Sequence, residues 1–85
     1  AHGPVIEDPV ALITQYLEHR RQREAQVMAS LEGGPATVDE ITARIYTGLA
    51  TALTPMARES VLAHLIKLEG EGKARLAGAQ WSMVR

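Results

Sequence analysis

The chain has 85 residues, 46% of them hydrophobic, with no cysteine and a formal net charge of −1, which allows one small core, excludes disulfides and thiolate metal sites, and lends little support to a nucleic-acid partner. No apolar run approaches the roughly 18 residues of a bilayer span, and the acidic pair Glu7-Asp8 is unlike the start of a signal peptide, so the expected protein is soluble and cytoplasmic. A chain this short buries only about 60–65% of its unfolded surface, which leaves apolar surface for a partner.

The first nine residues, AHGPVIEDP, have no helical periodicity. Asp8 and Pro9 then form a helix start, an acidic cap followed by proline at the position where its missing N–H costs nothing. The helical pattern runs to about Glu32. Val10, Ile13, Tyr16 and Leu17 make one apolar stripe and Val27, Met28 and Leu31 a second, separated by the polar run EHRRQREAQ. Twenty-four such residues would span about 36 Å, more than a domain of this size measures across, so the first stripe is expected to lean on something outside the body. Within EHRRQRE, Arg20, Arg21 and Arg23 could form a basic patch, but Glu18 and Glu24 can pair with them along the helix, and the run reads as a solvated strut.

Gly33, Gly34 and Pro35 end the helix, with glycine available for a left-handed cap. Thr37 and Glu40 have the spacing of a capping box, and Val38, Ile41, Ile45 and Tyr46 repeat as a short second helix. After the loop TGLATAL, Thr54-Pro55 opens a third helix carrying Val61, Leu62, Leu65, Ile66 and Leu68, which EGEGK stops. The final KARLAGAQWSMVR reads as two short strands around Gly78-Ala79, a glycine-first loop suited to a type II′ turn. Trp81 and Met83 alternate with Gln80 and Ser82 and are expected to pack the hairpin onto the third helix. Helix, short helix, loop, helix and hairpin is the order of a winged helix-turn-helix, giving an α+β, mainly α, fold class with a long N-terminal helix and a β-hairpin wing.

Chemistry is sparse. The serines Ser30, Ser60 and Ser82 lack a nucleophile-elbow motif, and His2, His19 and His64 lie on three separate segments without i, i+4 spacing, so neither a catalytic triad nor a complete metal site is expected. His19 and His64 read as solvent-facing helix residues. A nucleic-acid reader would use Arg58, Ser60, His64 and Lys67 on the third helix with Lys73, Arg75 and Arg85 around the wing. Glu59, Glu69 and Glu71 lie on the same segment and would repel phosphate, which favours an ordinary solvated face.

HGPVIEDP, followed by YLEHRRQREAQV and later SVLAHLIKLEGEGKA, resembles the C-terminal part of metallo-β-lactamase-fold hydrolases of the β-lactamase-like type, over essentially the whole chain. The resemblance implies that residues 1–8 are the tail of a metal-binding domain and residues 9–85 a winged-helix domain. It also implies that His2 is the last ligand of a two-metal site, usually zinc, although Ala1 stands where that family carries glycine and HxHxDH is absent. The expected partner is the missing N-terminal metallo-β-lactamase domain, against which Val10, Ile13, Tyr16 and Leu17 would dock. The wing end would shape a substrate entrance. RNA is one substrate class the resemblance allows for the parent hydrolase, and this chain alone would not be catalytic. Two other readings stay open: a stand-alone winged-helix DNA- or RNA-binding module, and a protein-interaction module built on the exposed stripe.

Overall fold

A computed structural model describes residues 8–85 of the chain; His2, and with it the expected metal ligand, lies outside the described residues. Helix α1 runs Pro9–Glu32, starting where the sequence places its cap: Val10 N–H donates to the Asp8 carboxylate at 2.9 Å. Its end falls at the expected glycines. Gly33 stays right-handed at φ −78° and Gly34 makes the turn at φ +121°, a conformation glycine adopts without a Cβ penalty.

The turn leads into a two-residue strand, β1, at Ala36–Thr37, which local pattern reading does not anticipate. Helix α2, Val38–Ile45, opens on the capping box: Glu40 N–H donates to Thr37 Oγ1 at 3.1 Å, and Thr37 N–H donates to Glu40 Oε1 at 2.8 Å. Tyr46 leaves the helix at φ −106°, ψ 67°. A short 3₁₀ turn at Thr51–Leu53 then feeds α3, Thr54–Gly70. The hairpin pairs β2, Ala74–Ala77, with β3, Gln80–Met83. Gly78 has φ +63° and, among the described residues, only glycines have a positive φ, so Ala79 keeps an ordinary conformation, as a type II′ turn requires.

Rather than a free hairpin, the wing is part of a three-stranded antiparallel sheet in the order β1-β3-β2. Trp81 on the central strand faces Ala36 on one side and Leu76 on the other. Three helices and this small sheet make an α+β winged helix. Its core draws Val27 and Leu31 from α1, Ile41 from α2, Val61, Leu65 and Leu68 from α3, and Ala36, Ala74 and Trp81 from the sheet. Met83 packs against this cluster from its edge.

Two expectations about α3 are corrected by the packing. Ile66, grouped with the apolar set, is 54% exposed, because Leu65 and Leu68 already fill the side facing the sheet and the next position turns about 100° away. His64, expected in solvent, is buried, because α1 crosses over it. The molecule measures 53 × 29 × 17 Å, its long dimension exceeding the roughly 36 Å of α1 itself. Only the C-terminal part of α1 is covered by the body: Val27 and Leu31 are its buried residues.

Candidate functional site

Two surfaces stand out once the chain is folded: the projecting N-terminal half of α1, and the cleft where α1 crosses α3. Val10, Ile13, Tyr16 and Leu17 all lie on the first, between 51% and 70% exposed. Leu12, absent from the sequence-level stripe, widens it. Ile13 and the buried Leu31 are separated by about five full helical turns, so they share one side of α1. The side that enters the core at one end of the helix therefore continues, uncovered, at the other.

At the crossing, Glu24 of α1 meets His64 and Lys67 of α3. Lys67 Nζ donates to Glu24 Oε1 at 2.9 Å and pairs with Glu71 Oε2 at 2.9 Å; Lys73 Nζ lies 3.5 Å from the other Glu71 oxygen. This chain of alternating charges runs from α1 across α3 to the base of the wing. His64 Nδ1 is 3.5 Å from the Glu24 carboxylate, within ion-pair range but without a hydrogen bond, and among the described residues it has no hydrogen-bond partner. Glu24 thus does not pair with arginines of its own helix, as its position in EHRRQRE suggests. Glu18 does, holding Arg21 at 2.8 Å. No local spacing could reveal the Glu24–Lys67 pair, because the two residues come together only through the angle between the helices.

These bonds set the charge states. The Lys67 ammonium holds the Glu24 carboxyl below its ordinary value of 4.5, against a smaller upward push from burial, and does the same for Glu71. Conversely, the Glu24 and Glu71 carboxylates raise Lys67 above 10.5. A lowered carboxyl stabilises the fold above its unfolded value and loses that contribution as pH falls through the folded one, whereas a raised lysine stabilises below its unfolded value and loses it as pH rises through the folded one. Thermal melting is therefore expected to show the full contribution between about pH 5 and about pH 10 and a loss at both edges. Glu24→Gln should melt lower than the parent sequence at neutral pH and converge with it as pH falls through the lowered Glu24 value. A difference of the same size at all pH values would show that Glu24 acts through packing alone.

The residues expected to touch nucleic acid are not gathered on one free face. Arg58 Nε is held by Asp39 Oδ1 at 2.8 Å, Lys67 is shared by two carboxylates, and His64 is 7% exposed. Lys73 lies beside Glu71, and Arg75 is exposed on β2.

Either side of His64 the cleft opens into a groove of about 340 Å³. One is walled by Leu17, Arg20, Arg21, Glu24, His64 and Lys67; Tyr16, His19, Arg20, Arg23, Ser60 and His64 surround the other. Arg23 lies 4.5 Å over the ring of Tyr46 and Arg20 lies 5.8 Å from that of Tyr16, so both guanidinium groups are steered by aromatic faces. Among the described residues, no grouping of three or more histidine, aspartate or glutamate side chains could hold a metal ion, and no helix is long and apolar enough to cross a membrane.

The chain is similar to the Beta-lactamase-like protein 2 homolog of Drosophila melanogaster, 37% identical over 79 residues that cover 89% of this chain and 27% of that protein. It thus spans about a quarter of the length of this curated relative. Residues 37–81 match the family described as "Beta-lactamase associated winged helix domain", a stretch that begins at the capping threonine of α2 and ends at the tryptophan of the central strand. With three helices, a three-stranded antiparallel sheet and this match over more than half its length, the chain belongs to the beta-lactamase associated winged helix domain family.

Proposed function

We propose that this chain is the C-terminal accessory domain of a metal-dependent hydrolase with the metallo-β-lactamase fold, docked on the catalytic domain through the N-terminal half of α1. The observation that carries this reading is the apolar side of α1, which is buried by the chain's own core at Val27 and Leu31 and left open at Val10, Ile13, Tyr16 and Leu17. Exposing a contiguous apolar surface of this kind is costly in water and is the usual mark of an interface. In the relative that it matches, about three quarters of the protein lies outside the aligned portion, which leaves room for the domain that would cover it.

In this reading His2 supplies one imidazole to a two-zinc site whose remaining ligands come from the catalytic domain, and the wing end borders the substrate entrance. The described residues do not fit a metal site of their own, so no reaction step is assigned to this chain. RNA is a candidate substrate class for the whole hydrolase. A free-standing DNA or RNA reader is less favoured, because Arg58 and Lys67 are committed to carboxylates and His64 is buried.

The test is to prepare the chain and the catalytic domain of the same protein as separate polypeptides and measure their association by sedimentation. The two are expected to associate, and the double variant Ile13→Asp, Leu17→Asp is expected to weaken them at least about 100-fold, or roughly 2.7 kcal/mol. Because both side chains are more than half exposed, melting of the winged-helix body should be unchanged. Failure of the unaltered pair to associate, or tight binding by the double variant, would refute the docking reading.

A further inference from the structure

Apart from Tyr16, the second groove of the α1–α3 cleft combines residues the docking reading does not use. Arg20, Arg23, His19, His64, Ser60 and Tyr16 line it, and no acidic residue does. The neighbouring groove differs in this respect, since Glu24 lines it and neutralises Lys67. Among the described residues neither Arg20 nor Arg23 forms an ion pair, whereas Arg21 next to them is held by Glu18. The one side-chain partner of Arg23 is neutral: its Nη1 donates to Gln26 Oε1 at 2.9 Å, which orients the group without cancelling its charge.

The physical consequence is a pair of uncompensated, aromatic-supported cations beside a hydroxyl. The largely buried imidazole of His64 forms the shared wall between the two grooves. Guanidinium edges present several N–H donors in a fixed fork, which matches the geometry of tetrahedral oxyanions. Support from a ring face lowers the conformational freedom that binding would otherwise remove. A carboxylate offers two oxygens in one plane, whereas a phosphoryl group presents its free oxygens tetrahedrally, two in a diester and three in a monoester, and so offers acceptors to guanidinium and hydroxyl donors from different directions. At about 340 Å³ the groove lies at the small end of the range for ligand sites.

We propose that this groove, bounded by Tyr16, His19, Arg20, Arg23, Ser60 and His64, is a phosphoryl-group binding site. The ligand chemistry is a phosphate mono- or diester, carried either by a small phosphorylated molecule or by a single-stranded nucleic-acid backbone. Its lining residues all belong to this chain, and Tyr16 alone among them is shared with the docking face.

The test is titration of the 85-residue chain with inorganic phosphate, with adenosine monophosphate and with a short oligouridylate, observed by NMR at the arginine Nε–H signals and the Ser60 amide. Saturable shifts confined to Arg20, Arg23 and Ser60 are expected, with Arg20→Gln, Arg23→Gln weakening binding at least about tenfold and Arg58→Gln, Arg75→Gln leaving it unchanged. The single variant Arg20→Gln, at an exposed position, provides the same reading should the double variant not fold. Saturation by phosphate and the mononucleotide supports a small-molecule ligand; saturation by the oligonucleotide alone, lost in the Arg20→Gln chain, supports a nucleic-acid backbone. Shifts spread evenly over all arginines without saturation, or binding undiminished by Arg20→Gln, would overturn the proposal.

Discussion

Replacing Leu65 with alanine is expected to lower the unfolding free energy by about 3 kcal/mol, within the range of 2–5 found for buried leucine truncations. Leu65 is wholly buried, in one cluster with Val27 and Leu31 of α1, Ile41 of α2 and Trp81 of β3, so the cavity would open where all three helices and the sheet meet. A chain of 85 residues has a total stability of roughly 4–13 kcal/mol, of which this loss removes about a quarter or more. Urea denaturation followed by fluorescence measures this directly, because the chain has a single tryptophan and it sits in the affected cluster. The midpoint should fall with the slope unchanged. Ile66→Ala, one position along but 54% exposed, is expected to cost less than about 1 kcal/mol. Equal costs at the two positions would mean that α3 is rotated about its axis relative to the structure described.

Trp81→Ala is expected to be as damaging, at about 3–5 kcal/mol, and for a different reason. β3 is the central strand, bonded to β1 on one edge and β2 on the other, and the indole is the large side chain that this strand buries fully in the core, with Met83 only partly buried at the edge. Without it the sheet loses its attachment to α1 and α3, so the two-residue strand β1 and the hairpin should separate from the helices. Circular dichroism should show a melting temperature lower by more than about 10 °C, and hydrogen exchange at Ser82, paired with Arg75 across the hairpin, should rise to that of an open segment. Its cross-strand partner Leu76 is 46% exposed, so Leu76→Ala should cost less than about 1 kcal/mol. Protection of the sheet amides retained in Trp81→Ala would show that backbone pairing, and not the indole, holds the wing.

Much of this architecture is legible because it is written in short-range chemistry. Asp8-Pro9, the Thr37–Glu40 box, Thr54-Pro55 and Gly78-Ala79 each act through hydrogen bonds or dihedral limits within a few residues, and all four mark boundaries that the structure confirms. β1 escaped this reading because a strand of two residues has no alternation to detect, and it exists only because β3 offers a free edge. The exchange of roles between Ile66 and His64 has the same origin: an apolar residue faces water and an imidazole is buried because α1 happens to cross α3 at His64 rather than one position away. The grooves of the cleft were equally invisible. Arg20 and Arg23 lie about forty residues before Ser60, in two helices whose periodicity says nothing of their crossing point.

By itself, then, the amino-acid order determined the helices and their caps, the hairpin, the winged-helix order and the apolar face at the start of α1, since each depends on periodicity and capping that neighbouring residues complete among themselves. Tertiary structure alone decided that Glu24 would reach Lys67, that His64 would be enclosed, that Arg58 would be taken by Asp39, and that two arginines would be left without a counter-charge. Those outcomes depend on the angle at which two helices cross, which is chosen by the packing of Val27, Leu31 and Leu65 and carries no trace in local spacing.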